Sequence, residues 1–421
     1  MIQENKNTLN LKEFLNSPLQ SHQNLSIDLS DNIIDDDCAS ELGTAISNCT
    51  NLSNLTLFIV YNQIGNQGTS SLGSGLRMCT NLIKLKLYLF NNQIGDDGAQ
   101  GLVSALAKCT NLQNLTLDLT NNQIGDVNAS GLIFGLGGWA NLETLTLNLD
   151  CNKIADYGAS CLISGLPNCI NLSNLTLNIG SNQIGGEGAS SLGSAFGKCT
   201  NLTNLALGLC GNQIADYGAS GLGSGLSNYT NLSNLTLDLG SNQIGDEGIS
   251  GLGSGLVKCT NLLNLTLNLS DNQIADNGAS GLGSGLEICT NLQYLRLDLG
   301  SNQISDAGIS GLGYALATCT NLSNLFLGLC YNIIGDEGAS GLGFALAMCA
   351  NLSNLTLDLR PNQIGVIGAS SLGFYLGKCP KLSNLKLYLD DQGINKSQQL
   401  KVKNQCLKSK RLVAFKMCFY Q

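Results

Sequence analysis

The stretch Asn-Leu-Ser-Asn-Leu-Thr-Leu-Asp-Leu-Gly-Ser-Asn-Gln-Ile-Gly-Asp-Glu-Gly begins at Asn231 and returns, with small changes, every 30 residues. Ile34, Ile64, Ile94 and Ile124 open a column that keeps phase to Ile364 and Ile394, and a column from Asn32 to Asn362 runs two residues ahead of it. A fixed period of roughly 20–50 residues is the mark of stacked supersecondary units. Each such unit touches only its neighbours, so the chain should be a solenoid with one continuous core. No single repeat can enclose a private active site, and function must be sought on a surface.

The period leaves no room for a domain boundary between residues 21 and 410, although 421 residues would ordinarily suggest two or three domains. Residues 1–20 read as an N-terminal cap, 21–380 as twelve repeats, and 381–421 as a degenerate repeat with a closing strand. Aromatic residues are only 5% of the chain, so the core must be aliphatic. The 51 glycines fall at fixed phases of the repeat, which low-complexity glycine does not do.

The net charge of −9 conceals an asymmetry. Residues 381–421 hold nine Lys or Arg against Asp390 and Asp391, a balance of +7 that leaves the rest near −16. An acidic body argues against nucleic acid as a partner, since phosphate binding needs a basic face. The basic end reads as a solvated cap or as the recruiter of an acidic partner. No signal-peptide pattern opens the chain and no apolar run is long enough for a spanning helix, so no membrane role is expected. Asn-x-Ser/Thr sequons at Asn54, Asn114, Asn174 and Asn234 fall on or beside the strands, where glycans would obstruct stacking. They read as by-products of the repeat in a cytoplasmic protein.

Ten of the 17 cysteines share one phase, from Cys49 to Cys379, and Trp139 and Tyr229 take that slot in two other repeats. A disulfide framework would not tolerate an aromatic there, so the slot reads as a small buried hydrophobe in a reduced protein. With no Cys-x-x-Cys and His22 as the only histidine, no zinc site is expected.

Counted from its opening Asn, each repeat has leucines at positions 2, 5, 7 and 9, whose alternation predicts a strand with one buried face. Asn at 12 and Ile at 14 follow. Asp at 16 reads as a helix N-cap, and positions 19, 22, 23 and 26 have helical spacing: Ile249, Leu252, Gly253 and Leu256 in one repeat. Leaving a strand by a sharp turn strands backbone polar groups inside the stack, and an Asn amide can bond to turns of its own and adjacent rungs.

The segment Leu237–Leu252 reads Leu-x-Leu-x-x-Asn-x-Ile-Gly-Asp-x-Gly-x-x-x-Leu, with Ile249 where most repeats have Ala. It resembles the leucine-rich repeat of the strand–helix type found in ribonuclease inhibitors and Ran GTPase-activating proteins, over residues 21 to 410. The resemblance implies an α/β horseshoe, with parallel strands on the concave face and helices on the convex face. The family places its first leucine eight residues before the Asn; here leucines stand ten, seven, five and three before it. The two extra residues should lengthen each strand by one inward leucine.

Helical segments such as Gly-Leu-Gly-Ser-Gly-Leu at 221–226 carry glycine where related repeats favour alanine, each at a cost of about 1 kcal/mol of helix propensity. Stacking must supply the difference, and small side chains should let helices approach closely. Since strands stack at about 4.8 Å and ordinary helices at about 8–10 Å, closer helices imply a shallower curve than an alanine-rich equivalent. Leu11, Phe14 and Leu15 should form a short helix over the first rung. Gln392 takes the Asn slot of the degraded repeat, and Leu412, Phe415, Met417 and Phe419 resume the leucine phase as a final strand.

Chemistry is hard to find. Gly-x-Gly-x-Gly runs fall in the helical slot rather than at a strand–helix junction. Gly197-Lys198-Cys199-Thr200 has Gly193 one residue too close and Cys199 where a nucleotide loop needs Ser or Thr. His22 lies in a leucine slot beside the cap. The column of Asp96, Asp126, Asp156, Asp216 and Asp246 offers one carboxylate per rung, which suits capping better than calcium. No catalytic residue, cofactor or metal site is assigned.

The informative residues break the repeat on the face opposite the leucines, which is mostly Thr, Asp, Asn, Gly and Ser. Phe58, Val60 and Tyr61 stand beside Lys86, Tyr88 and Phe90, one patch of aromatics with a cation, a composition that interface hot spots favour. The segment 1–20 is the competing explanation, as an internal cover. Tyr294, Arg296, Phe326, Tyr331 and Arg360 form a second patch beside Cys330, out of easy reach of that segment. Asp118, Asp150, Asp238 and Asp298 make the face acidic and favour a partner with a basic rim. These features point to a monomeric, non-catalytic scaffold that binds a partner protein on its strand face. Regulation of a small GTPase, or service as the orphan sensor of a kinase-linked signalling protein, are the alternatives.

Overall fold

In the computed structural model the described residues are 8, 9, 11–126, 139–162, 165–390, 394–409 and 411–420. Gln392, Asp391, Lys410 and most of the first ten residues of the expected cap lie outside them. The chain forms two compact units, Met1–Gly208 and Leu209–Gln421.

In the first unit, parallel strands β1 (Thr8–Leu9), β2 (Asn24–Asp28), β3 (Asn54–Phe58), β4 (Lys84–Tyr88), β5 (Asn114–Asp118), β6 (Thr144–Asn148), β7 (Asn174–Asn178) and β8 (Asn204–Gly208) pair in chain order. From β2 onward each residue pairs with the one 30 further along, as Leu55 does with Leu85. In the second unit β9 (Asn234–Asp238), β10 (Asn264–Asn268), β11 (Tyr294–Asp298), β12 (Asn324–Gly328), β13 (Asn354–Asp358), β14 (Asn384–Asp390) and β15 (Ala414–Tyr420) follow the same rule. Helices such as Asp246–Leu256 connect successive strands, so each unit is a parallel α/β solenoid.

Leucine drives the stacking. Leu232, Leu235, Leu237 and Leu239 of one rung are at most 1% exposed, and each such burial stabilises by about 1.5–3 kcal/mol. The expected longer strand takes a particular form. The regular strand covers five residues, and ladder bonding continues past it: Leu239 N–H donates to Asn268 O at 2.9 Å and Ser241 N–H to Ser270 O at 2.9 Å. The third inward leucine is therefore buried just beyond the strand.

The asparagine column behaves as expected. Asn272 Nδ2 donates to the carbonyls of Leu239, Leu269 and Ser270 at 3.0–3.1 Å, while its Oδ1 accepts from Ile244 N–H at 2.9 Å and Asn242 N–H at 3.1 Å. One buried amide thus satisfies turns on two rungs.

The aspartate column departs from expectation. The N-cap of Asp246–Leu256 is Gly245, and Asp246 is the first helical residue. Its carboxylate serves the following rung, accepting Ala275 N–H at 2.7 Å. Asp216 likewise accepts Gly245 N–H at 2.7 Å and Gly248 N–H at 2.9 Å. Helix starts lie side by side, so a carboxylate on one first turn reaches the orphan donors of the next. The second glycine of the motif makes the room, since a Cβ on Gly248 would stand 2.6 Å from Asp216 Oδ1. Self-capping occurs where position 15 carries a polar side chain, as in Asp35 to Cys38 N–H.

The helical glycines admit backbone-to-backbone contact. A Cβ on Gly255 would lie 2.0 Å from Gly223 O, and one on Gly285 2.2 Å from Gly253 O. Close helix approach is realised here by the absence of side chains altogether.

The cysteine slot is a donor slot as well as a hydrophobic one. Cys79, Cys109, Cys319 and Cys349 each direct Sγ to the carbonyl 33 residues earlier, at 3.4–3.5 Å. Trp139 makes the same bond through its indole N–H, 2.9 Å from Leu106 O. Burial pushes the Cys79, Cys319 and Cys349 thiols up to about 12.

At the N-terminal end the helix Leu11–Leu15 buries Phe14, and His22 Nε2 lies 2.7 Å from Ser17 Oγ. That contact gives the lone histidine a structural role.

Candidate protein-binding surface

The strand face away from the helices is a regular lattice, and its irregularities define the site. Position 4 of the repeat carries an asparagine ladder. Asn264 Nδ2 donates to Asn234 Oδ1 and Asn354 Nδ2 to Asn324 Oδ1, both at 2.6 Å. Tyr294 stands between these two runs in register, paired with Asn264 and Asn324. In the first unit Lys84 interrupts the corresponding ladder between Asn54 and Asn114. Sequence reasoning overlooked Lys84, since the ladder becomes visible only once the rungs are aligned in space.

In the first patch Phe58 and Tyr88 stack at 4.7 Å with their planes 4° apart, and Tyr61 meets Phe90 edge-on at 5.4 Å. Lys86 is exposed and Tyr61 is 56% exposed. Burial, with Asp118 nearby, pushes the Tyr88 hydroxyl up. Val60 corrects the expectation: it is only 8% exposed. Its carbonyl is taken by Asp31 N–H and by Asn62 Nδ2, which anchors its backbone in the turn. It packs rather than presents. The competing cover is also resolved for the described part of the N-terminal segment. Thr8 and Leu9 pair with Ser26 and Ile27 on β2, and the helix Leu11–Leu15 packs on β2 and on the helix Asp36–Ser47. Those residues extend the end of the sheet.

In the second patch the Arg296 guanidinium lies 3.7 Å above the centre of the Phe326 ring, on the adjacent strand, with Asp298 3.8 Å away. Arg360 forms a two-point pair with Asp358, Nε to Oδ1 at 2.8 Å and Nη2 to Oδ2 at 2.6 Å, and faces the Tyr388 ring at 4.7 Å. Tyr294 is 39% and Tyr331 64% exposed. The two-point pair with Asp358 sets the plane of Arg360 before any partner arrives, whereas Arg296 is placed by the Phe326 ring with Asp298 as a looser ion pair. Half-buried Cys330 lies beside them, and burial with Asp358 and Asp298 raises its thiol.

Tyr61 and Tyr331 share a backbone feature. Position 11 is left-handed in rung after rung, and both tyrosines have positive φ, 55° and 54°. Asn91 and Asn121 occupy the same column, and asparagine tolerates that conformation better than a bulky residue does. Placing tyrosine there therefore carries a conformational cost.

Two further features were missed. Tyr388, Lys386 and Lys416 continue the second patch to β15; they sit in the degraded end that sequence alone assigns to capping. On the helix side, Tyr314, Phe344 and Phe374 replace serine at one exposed phase in three successive repeats, and are 41–61% exposed. No cluster of metal-ligating side chains occurs among the described residues, and no helix among them is long and apolar enough to cross a membrane.

The family comparison agrees with this architecture. The leucine-rich repeat family profile matches residues 81–103, 111–132, 141–162, 171–193, 231–253, 261–283 and 289–313. Among solved structures, an internalin of Listeria monocytogenes is similar at 25% identity and a TM-score of 0.49, covering 81% of this chain and 82% of that one. A leucine-rich repeat protein of Leptospira interrogans is similar at 20% identity and a TM-score of 0.48, covering 97% and 99%. Curated proteins give no match. The seven matched segments fall on the rungs whose leucine, asparagine and glycine columns are accounted for above: the chain is a leucine-rich-repeat protein.

Proposed function

We propose that this protein is a non-catalytic scaffold that binds a partner protein through the outward strand face, centred on Tyr294, Arg296, Phe326, Tyr331 and Arg360. The observation that carries the reading is the Arg296–Phe326 stack. An arginine stacked over an aromatic ring with Asp298 in ion-pair range, next to an exposed tyrosine that interrupts a bonded ladder, is a contact of the kind that dominates interfaces. Nothing in the repeat requires it, since Thr266 and Thr356 occupy the same column at neighbouring rungs without it.

Phe58, Tyr61, Lys86, Tyr88 and Phe90 make a second contact region of similar chemistry. A partner with a basic rim suits the carboxylates of Asp118, Asp150 and Asp238. The strand–helix repeat with Asn at position 12 favours the ribonuclease-inhibitor type, and ten cysteines that share one buried phase suit a reducing, cytoplasmic setting.

The test uses wild-type chain, Y294A/F326A and F344S/F374S as parallel baits, with captured proteins quantified. Partners lost by the first variant and kept by the second are expected. Equal recovery by wild type and Y294A/F326A, or loss confined to F344S/F374S, defeats the reading.

A further inference from the structure

The end of the second unit carries chemistry unlike the rest of its strand face. On β13–β15 a shallow cleft of about 420 Å³ is lined by Asn354, Thr356, Asn384, Lys386, Ala414 and Lys416. Ala414 takes the ladder position on β15, opposite Asn384. The asparagine ladder stops there for want of a side chain, and the gap forms part of the cleft.

Lys386 and Lys416 are direct cross-strand partners. Backbones of paired strands lie about 4.8 Å apart, and like charges placed opposite one another on one face of a sheet destabilise it. Neither lysine has a carboxylate within ion-pair distance among the described residues. The Lys416 ammonium instead faces the Tyr388 ring at 5.8 Å, a ring that also faces Arg360. Three cations therefore gather on three successive rungs around the Tyr388 ring, and among the described residues the lysines have no carboxylate partner. Such an arrangement is relieved by an external anion.

We propose that this cleft binds an extended acidic segment of a partner protein, with Lys386 and Lys416 receiving its carboxylates. Charge complementarity names the occupant: the last 41 residues carry nine Lys or Arg against two Asp. A polypeptide fits better than a nucleic acid. The cleft is three strands wide, roughly 10 Å across, which suits an extended chain, and residues 1–380 are acidic overall, which disfavours a long polyphosphate backbone. The proposal rests on the strand face being the partner surface, but its two lysines lie at the far end of the second patch and take no part in the Arg296–Phe326 contact, so each can fail alone.

The experiment titrates full-length protein against a fluorescein-labelled hexaglutamate peptide at low salt, read by anisotropy. Saturable binding is expected, weakened at least tenfold in K386Q/K416Q and retained in K386R/K416R. It should be unchanged in K198Q/K258Q, which removes two lysines on the helix side. Thermal melts confirm that each variant folds. No binding by wild type, equal binding by K386Q/K416Q, or equally tight binding of hexathymidylate each overturns the proposal.

Discussion

A methyl group on Gly255 would sit 2.0 Å from the carbonyl oxygen of Gly223 in the neighbouring helix. Propensity alone predicts that Gly255→Ala stabilises its helix by about 1 kcal/mol. Contact geometry predicts the reverse, because the obstacle is backbone and two helices must part to admit the methyl. A net loss of about 1–3 kcal/mol is expected, whereas exposed Ser254→Ala should be neutral or slightly stabilising. Urea melts of both variants decide; a stabilised Gly255→Ala would show that the helices are looser than described.

The buried thiols make the fold sensitive to alkali. Unfolded thiols ionise near pH 9, whereas Cys79, Cys259, Cys319 and Cys349 hold their protons to about 12. Across that window the unfolded chain binds fewer protons, so stability falls as pH rises through it and is complete below pH 9. Each thiol contributes up to about 1.4 kcal/mol per pH unit. The melting temperature should drop steeply between pH 9 and 11, and the triple variant C259A/C319A/C349A should drop less steeply. Parallel slopes would assign the alkaline loss to other groups.

Tyr331 holds a left-handed backbone at φ 54° in a column where asparagine is at home. Tyr331→Asn should raise stability by about 1 kcal/mol while weakening partner capture, a trade of stability for contact. A variant that loses stability, or gains it with capture intact, would remove Tyr331 from the binding surface.

Asn272 serves two rungs with one amide. Asn272→Ala leaves the carbonyls of Leu239 and Leu269 and the N–H of Ile244 without their partner. A loss of about 3 kcal/mol or more is expected, each orphaned group costing about 1–3 kcal/mol. Amide exchange should localise the damage to the turns near residues 240 and 270. Uniform exchange along the chain would argue against so local a role.

The strands were legible because period and polarity specify them within one repeat, and the asparagine bonding because a buried amide in every turn has no partners to take but the turns of its own and adjacent rungs. What was not legible depends on the relation between repeats. Asp246 looks like the cap of its own helix until the next rung is set beside it. Trp139 in a cysteine slot looks like a hydrophobic exchange until both are seen to donate to a carbonyl 33 residues back. The candidate site divides in the same way. Tyr294, Arg296 and Phe326 stood out as departures from a column, whereas Lys386, Lys416 and Tyr388 sit where the pattern itself decays. Val60 stands at the same position 10 as Phe90 and Arg360, but its short side chain is buried at 8% exposure where their longer ones reach neighbouring rings and carboxylates, and alternation carries no information on that difference.

The two bonding columns run in opposite directions along the chain. Asp246 completes the helix start that comes after it, and Asn272 completes the turn that comes before it. During synthesis, therefore, the turn at Ile244 cannot close until the ribosome has delivered an asparagine 28 residues later. A nascent chain always trails one unfinished turn behind its newest segment.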